Sequence, residues 1–183
     1  MRGWPLAKTA EAQENDYSDY VMLALRPPEP LRRIYADMSE CTEDVDELHI
    51  TLLYLGTTED AGGDWGRERL YRACYHVALD QRDPLVGQFN GFGWFLNDDS
   101  DVLVALCDAP YLGTFRETLR RRCLLHGVPL RQENHGFTPH MTLSYQDRTN
   151  GKIPQIPRGG REEVKYESFY LVWGQDWQEI TFS

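Results

Sequence analysis

No stretch of this chain approaches the roughly 20 consecutive apolar residues that a membrane-spanning helix needs. Its start, MRGWPLAKTAEAQENDYSDY, lacks the apolar core of a secretory signal. The expectation is a soluble, cytoplasmic protein with no membrane partner. Cysteine is scarce and dispersed: Cys41, Cys74, Cys107 and Cys123 include no C-x-x-C pair. That spacing gives neither a zinc site nor a disulfide framework. The chain also lacks a G-x-S-x-G turn, which argues against a Ser-His-Asp hydrolase. No low-complexity linker divides the 183 residues, and that length suits one domain.

Basic residues are outnumbered, with 19 Lys and Arg against 29 Asp and Glu, for a net charge of −10. Binding to a long duplex rests on phosphate neutralisation by Lys and Arg, so this balance disfavours such a partner. It leaves room for a small phosphorylated ligand in a locally basic cleft.

Residues 1–16 are polar and aperiodic and read as a flexible tail ahead of a single domain over 17–183. DYVMLALRP reads as a buried strand stopped by prolines, with Pro30 suited to the first turn of a helix. Leu31, Ile34, Tyr35 and Met38 then follow helical spacing. Leu70, Ala73, Cys74 and Val77 mark a second helix over about Arg67 to Leu79, after a loop TTEDAGGDWG. PLVGQFNGFGWFLND reads as a strand with glycine-marked bulges, and SDVLVALCDA as a buried strand. Thr114-x-x-Glu117 predicts a capping box for a third helix. That helix carries Leu112, Phe115, Leu119 and Cys123 on one face and stops at Gly127. EEVKYESFYLVWG and QEITFS read as a closing hairpin. The order is α+β, and a strand-helix-strand unit recurs in each half, predicting two similar lobes.

The halves share a string. ELHITLLYLG and PHMTLSYQD both contain His-x-Thr-Leu-x-Tyr. Side chains alternate faces along a strand, so His49 and Thr51 project together, as do His140, Thr142 and Ser144. The same parity sends Tyr54 and Tyr145 to the apolar face, as packing residues. A pseudo-twofold axis between the halves would set the two polar pairs across one groove. Histidine titrates near neutrality, so one ring can accept a proton while the other donates one. Displacement at a phosphodiester needs that combination, and threonine hydroxyls can hydrogen-bond the non-bridging oxygens. Two histidines are too few ligands for zinc, and the arrangement calls for no metal and no cofactor.

These residues resemble the 2H phosphoesterase superfamily, also called the LigT-like or RNA 2′,3′-cyclic phosphodiesterase fold. Its mark is two His-x-Thr/Ser-x motifs, here His49-Ile50-Thr51-Leu52 and His140-Met141-Thr142-Leu143. FTPHMTLSY is similar to the second motif, where an aromatic and a proline precede the histidine. The resemblance implies a bilobal pseudo-twofold duplication, with two antiparallel sheets facing a central cleft and helices outside. It also implies metal-independent cleavage of 2′,3′-cyclic phosphates or of 2′–5′ and 3′–5′ linkages. His49 and His140 would be the acid–base pair, either in either role, and Thr51 and Thr142 the phosphate binders. The substrate would be a small nucleotide or short oligonucleotide. One branch, the phage anti-CBASS nucleases, cleaves cyclic oligonucleotide messengers, and a phage enzyme would work in host cytoplasm. By that resemblance Tyr17, Glu167 and Trp173 are candidate base-binding residues, with core packing the competing reading of Trp173. A different class of reading is a non-catalytic nucleotide-binding module, a sensor or sponge, but a binder has no need of two complete His–Thr pairs. His76 and His126 read as surface or capping groups. His135, Arg26 and Arg131 are further candidates for the cleft, and Arg120-Arg121-Arg122 reads as a solvated face.

Overall fold

A computed structural model describes residues 19–96, 100–131, 136–146 and 153–183. The tail 1–16, Tyr17 and His135 lie outside the described residues. The strand β1 (Tyr20–Leu25) is buried along nearly its whole length. Pro30 lies in the first turn of α1 (Glu29–Ala36), where its missing N–H sacrifices no helical bond. Leu31 and Tyr35 face the core. There follow β2 (Ile50–Thr57), α2 (Gly63–Asp80), β3 (Leu85–Phe95), β4 (Asp101–Asp108), α3 (Leu112–Leu125) and β5 (His140–Gln146). The chain ends in β6 (Val164–Tyr166), β7 (Ser168–Trp173) and β8 (Asp176–Thr181).

All strand pairs are antiparallel, in the order β6-β3-β4-β5-β2-β1-β7-β8. The fold is the expected α+β. The two expected sheets are the four-stranded halves of this ladder, β6-β3-β4-β5 and β2-β1-β7-β8. Among the described residues they join through one pair, Ile50 with Met141. The units β1-α1-β2 and β4-α3-β5 take equivalent places about that seam, which gives the pseudo-twofold relation. The helix stripes of α2 and α3 are buried as their spacing predicts, with Leu70, Ala73, Cys74 and Val77 on one and Leu112, Phe115, Leu119 and Cys123 on the other.

Three elements differ from expectation. α2 begins at Gly63, inside the segment read as loop. The Ala61 carbonyl leaves no room for a Cβ at Gly66, so only glycine fits this first turn. The Thr114 capping box does not form, because burial of Leu112 starts α3 earlier, with Tyr111 at the N-cap. EEVKYESFYLVWG is two strands split at Glu167: β6 pairs with β3 in one half, and β7 pairs with β1 in the other. Gly127, with φ 68°, ends α3 as predicted.

Both central strands carry a bulge at the same motif position. Leu23 faces Leu53 and Ala24 faces Thr51, so Leu52 is an extra residue in β2; a second shift, between Val21 and Met22, leaves Leu55 unpaired as well. Leu103 faces Ser144 and Val104 faces Thr142, so Leu143 is the extra residue in β5. A bulge leaves its residue off the ladder, and its carbonyl needs another donor. The buried Arg116 Nε donates to Leu52 O at 2.8 Å. The backbone N–H groups of Thr42 and Glu43 donate to Leu143 O at 2.8 and 3.2 Å. Replacing Arg116 with Met keeps much of its apolar stem and removes the donor. The expected cost is about 1–3 kcal/mol in urea denaturation. Arg122→Met, which breaks a partly exposed ion pair with Asp80, is expected to cost less than about 1 kcal/mol in the same assay.

Candidate active site

His49 immediately precedes β2 and His140 opens β5, so each histidine flanks one member of the Ile50–Met141 pair. Continuing that antiparallel register one step each way sets His49 opposite Thr142 and Thr51 opposite His140. The four polar groups therefore meet at the seam. His49, Thr51 and Thr142 line a cleft of about 240 Å³. His140 is not part of that lining. It is half-buried beside Thr142, close enough for its charge to act on His49.

The two rings are held in the same way. His49 Nδ1 lies 2.5 Å from Glu47 O, and His140 Nδ1 lies 2.7 Å from Thr138 O. A carbonyl only accepts, so each Nδ1 carries a hydrogen and each Nε2 is the atom that takes up or gives a proton. In both copies the acceptor is the residue two before the histidine. Each ring also meets an aromatic edge-on: Trp177 for His49 at 5.6 Å and Phe95 for His140 at 4.6 Å. These contacts restrict ring rotation.

The wall around His49 decides its charge. Burial pushes the imidazole down to about 4; the Glu47 carbonyl opposes this, while the charges of His140 and Arg26 add to it. His49 is therefore neutral at pH 7, with a lone pair on Nε2. Arg26 lies over the Trp177 ring at 5.1 Å and bonds Asp46 O and Oδ1 at 2.7 and 3.0 Å. Arg32 reaches the same loop, through Val45 O and Asp46 Oδ1. Two arginines thus fix the segment that leads into His49.

The cleft runs along both strands. Beyond Thr51 it is lined by Tyr20, Met22 and Tyr54. Beyond Thr142 it is lined by Tyr145, Glu43 and Glu47. Burial, with Glu47 and Asp44 nearby, raises the Glu43 carboxyl above its ordinary value. Sequence parity sent Tyr54 and Tyr145 to the core and Ser144 to the polar face. The bulges reverse all three: both tyrosines face the cleft and are about two-fifths exposed, while Ser144 is fully buried. Identical tyrosines at the same offset in both copies were the available signal. Glu43, Glu47, Tyr20, Trp177 and Phe95 carried no such mark.

Glu167 and Trp173 are not among the residues that line this cleft. Glu167 is exposed between β6 and β7, and its carbonyl accepts from Phe182 N. Trp173 packs against the core, its ring beside Gly66 of α2. The packing reading of Trp173 is the one its surroundings favour. Arg131 stands over the ring of Tyr54, at 5.5 Å from its centroid. His76 and His126 link α2 to the end of α3, with Nδ1 to Nε2 3.1 Å apart, away from the seam. Among the described residues no group of three His, Cys, Asp or Glu side chains is placed to hold a metal ion. No described helix is long and apolar enough to cross a membrane.

A duplicated α+β half-barrel with a His–Thr pair from each half at its seam defines a class of protein. Residues 42–157, well over half of the chain, match the 2′-5′ RNA ligase superfamily, and the chain belongs to it. This is the 2H phosphoesterase group that the motifs resemble, and membership supports phosphodiesterase activity on nucleotides. The chain is similar in fold to TT0787 of Thermus thermophilus, with 19% identity and a TM-score of 0.67 over 90% of this chain and 95% of that one. Escherichia coli LigT complexed with 3′-AMP gives 19% identity and 0.59, over 90% and 95%. Kluyveromyces marxianus Usb1 with uridine monophosphate gives 10% and 0.54, over 91% and 99%. At these identities the likeness is one of fold. No curated protein sequence matches the chain.

The depressed His49 value has a consequence for stability. The unfolded ring takes a proton near pH 6.5, which the folded ring refuses until about 4. The unfolded state thus binds more protons in that window, and stability falls as pH drops through it. His49→Gln removes this pH-dependent contribution, along with ring contacts to Glu47 O and Trp177 whose loss shifts stability by the same amount across the window. Its melting temperature is expected to gain on wild type as pH falls from 6.5 to 4. A difference that stays constant across that range would show that the folded ring is not held neutral.

Proposed function

We propose that this protein is a metal-independent phosphodiesterase that cleaves a small nucleotide phosphodiester by paired-histidine acid–base catalysis. The observation that carries this reading is the matched pair of rings. Both have Nδ1 bound to the carbonyl two residues back, and both stand opposite the other half's threonine in the register of the seam. Neutral His49 serves as base: its Nε2 takes the proton of the attacking hydroxyl or water as the new O–P bond forms. His140 serves as acid: protonated at Nε2, it gives that proton to the leaving oxygen as the old P–O bond breaks. Thr51 and Thr142 hydroxyls donate to the non-bridging oxygens, where charge builds in the transition state.

Replacing either histidine with Ala is expected to lower the rate by roughly 10²–10⁴. Full activity in either variant would reject the mechanism. The acid limb of kcat/KM should fall near pH 4, following His49, and not near 6.5. Activity should persist in EDTA, since both proton-transfer groups belong to the chain. The substrate panel is 2′,3′-cyclic mononucleotides, 2′–5′ oligoadenylate and 3′,3′-cyclic dinucleotides, read by chromatography. Cleavage of the cyclic dinucleotides alone would favour the messenger-cleaving branch. Tight binding without product on any of them would favour a sensor or sponge.

A further inference from the structure

We infer that His76 and His126 form a two-histidine site for a divalent transition-metal ion such as zinc, on the surface where α2 meets α3. The site lies away from the seam and has no part in the cleavage proposed above. His76 Nδ1 and His126 Nε2 are 3.1 Å apart, although 50 positions separate the two residues in sequence. The ring centroids are 5.0 Å apart with the planes at 53°, His76 exposed and His126 half-buried. Imidazole nitrogens bind zinc at about 2.0–2.1 Å. Two such bonds ending 3.1 Å apart meet at an angle of about 95–102°. That lies between the square and tetrahedral arrangements that copper, nickel and zinc adopt.

The fold brings the rings to this spacing and holds them there. The two helices pack against each other. His126 caps α3, its backbone N–H bonded to Arg122 O and Cys123 O at 3.0 and 3.1 Å. Arg69 of α2 bonds Gly127 O at 3.3 Å, which ties the next residue to the same helix. Arg72 and Arg122 are the cations near the His126 ring, and each is engaged by a carboxylate. Arg72 pairs with Glu68 at 2.9 Å and Arg122 with Asp80 at 2.6 Å, which limits repulsion of an incoming cation. Burial, the neighbouring His76 ring and these arginines hold His126 below its ordinary value, so at pH 7 it keeps the lone pair a metal needs. Without metal, one ring donates its N–H to the other. Metal binding needs a lone pair at both His76 Nδ1 and His126 Nε2. The donating ring therefore moves that hydrogen to its other nitrogen, and both rings stay neutral. Among the described residues no third His, Cys, Asp or Glu is placed to join them, so water fills the remaining positions. Such a site fills and empties with metal supply and, when filled, fastens α3 to α2.

The test is calorimetry of Zn²⁺ with the full-length chain at about pH 7. Replacing either His76 or His126 with Gln is expected to weaken binding by roughly 10- to 100-fold. Replacing both should cost little more than either alone, since one imidazole is no chelate. Zn²⁺ should raise the melting temperature of the wild-type chain by more than that of either variant, because only the folded chain holds the two rings together. Binding should weaken as pH falls from about 7 to about 5, as protons compete for the ring lone pairs. In wild-type ¹⁵N spectra, the ring nitrogens of these two histidines should shift together on adding Zn²⁺. Wild-type affinity in either single Gln variant would overturn the inference. So would additive losses, which mean two separate one-histidine sites, or a wild-type chain that takes up no Zn²⁺. Loss of binding in His49→Gln or His140→Gln alone would place the ion in the cleft, with the same consequence.

Discussion

Ile50 and Met141 pair across the seam between the two halves, and both side chains are fully buried. This contact puts two segments from distant parts of the sequence side by side. Side chains alternate along a strand, so a slip of one residue in either would turn its His and Thr to the opposite face. The register is held from both ends. Arg116 of α3 anchors Leu52 of β2, and the backbone of Thr42 and Glu43 anchors Leu143 of β5. Each anchor joins one half of the molecule to the other. The geometry of the His–Thr quartet is therefore fixed by the same bonds that satisfy the bulge carbonyls.

Burying a guanidinium at Arg116 looks costly until its partners are counted. Its Nε serves a buried carbonyl, it lies 4.7 Å from the Phe137 ring centroid, and its far end reaches Glu117 at the surface. A charge that meets a carbonyl, a ring face and a carboxylate is compensated. A hydrophobic residue there would fill the space and leave Leu52 O without that side-chain donor. The polar side chain is the price of a bulge, and the bulge is what turns Tyr54 into the cleft.

The helices were legible because apolar residues at 3.6-residue spacing have few other uses, and the His-x-Thr pair because it occurs twice. Tyr54, Tyr145 and Ser144 were misplaced by one rule, strict alternation, which fails wherever a strand gains a residue. Leu52 and Leu143 look like any other strand leucine, so the bulges leave no local trace in sequence. They arise from tertiary partners, Arg116 and the loop at Thr42, that are distant along the chain. The positions of Glu167 and Trp173 have a different origin. Glu167 sits at the crossover between the halves and Trp173 packs beside α2, placements that depend on the tertiary fold. The depression of His49 was equally hidden, since it needs the fold that buries the ring and brings Arg26 and His140 near it.

An acidic chain that handles phosphodiesters needs a reason for its few cationic groups to lie where they do. Arg26 stands near His49, yet its guanidinium is engaged with Asp46 and the Trp177 face. A free cation there would attract phosphate strongly, and it would also drive the imidazole further from accepting a proton. Sharing that charge with Asp46 limits the second effect. On the proposed reading, the substrate acts in the opposite direction. A phosphodiester anion beside His49 favours the protonated ring, so binding raises the basicity that burial had lowered. In the proposed mechanism, burial keeps His49 neutral before the substrate binds, and the charge that makes proton transfer favourable arrives with the phosphodiester.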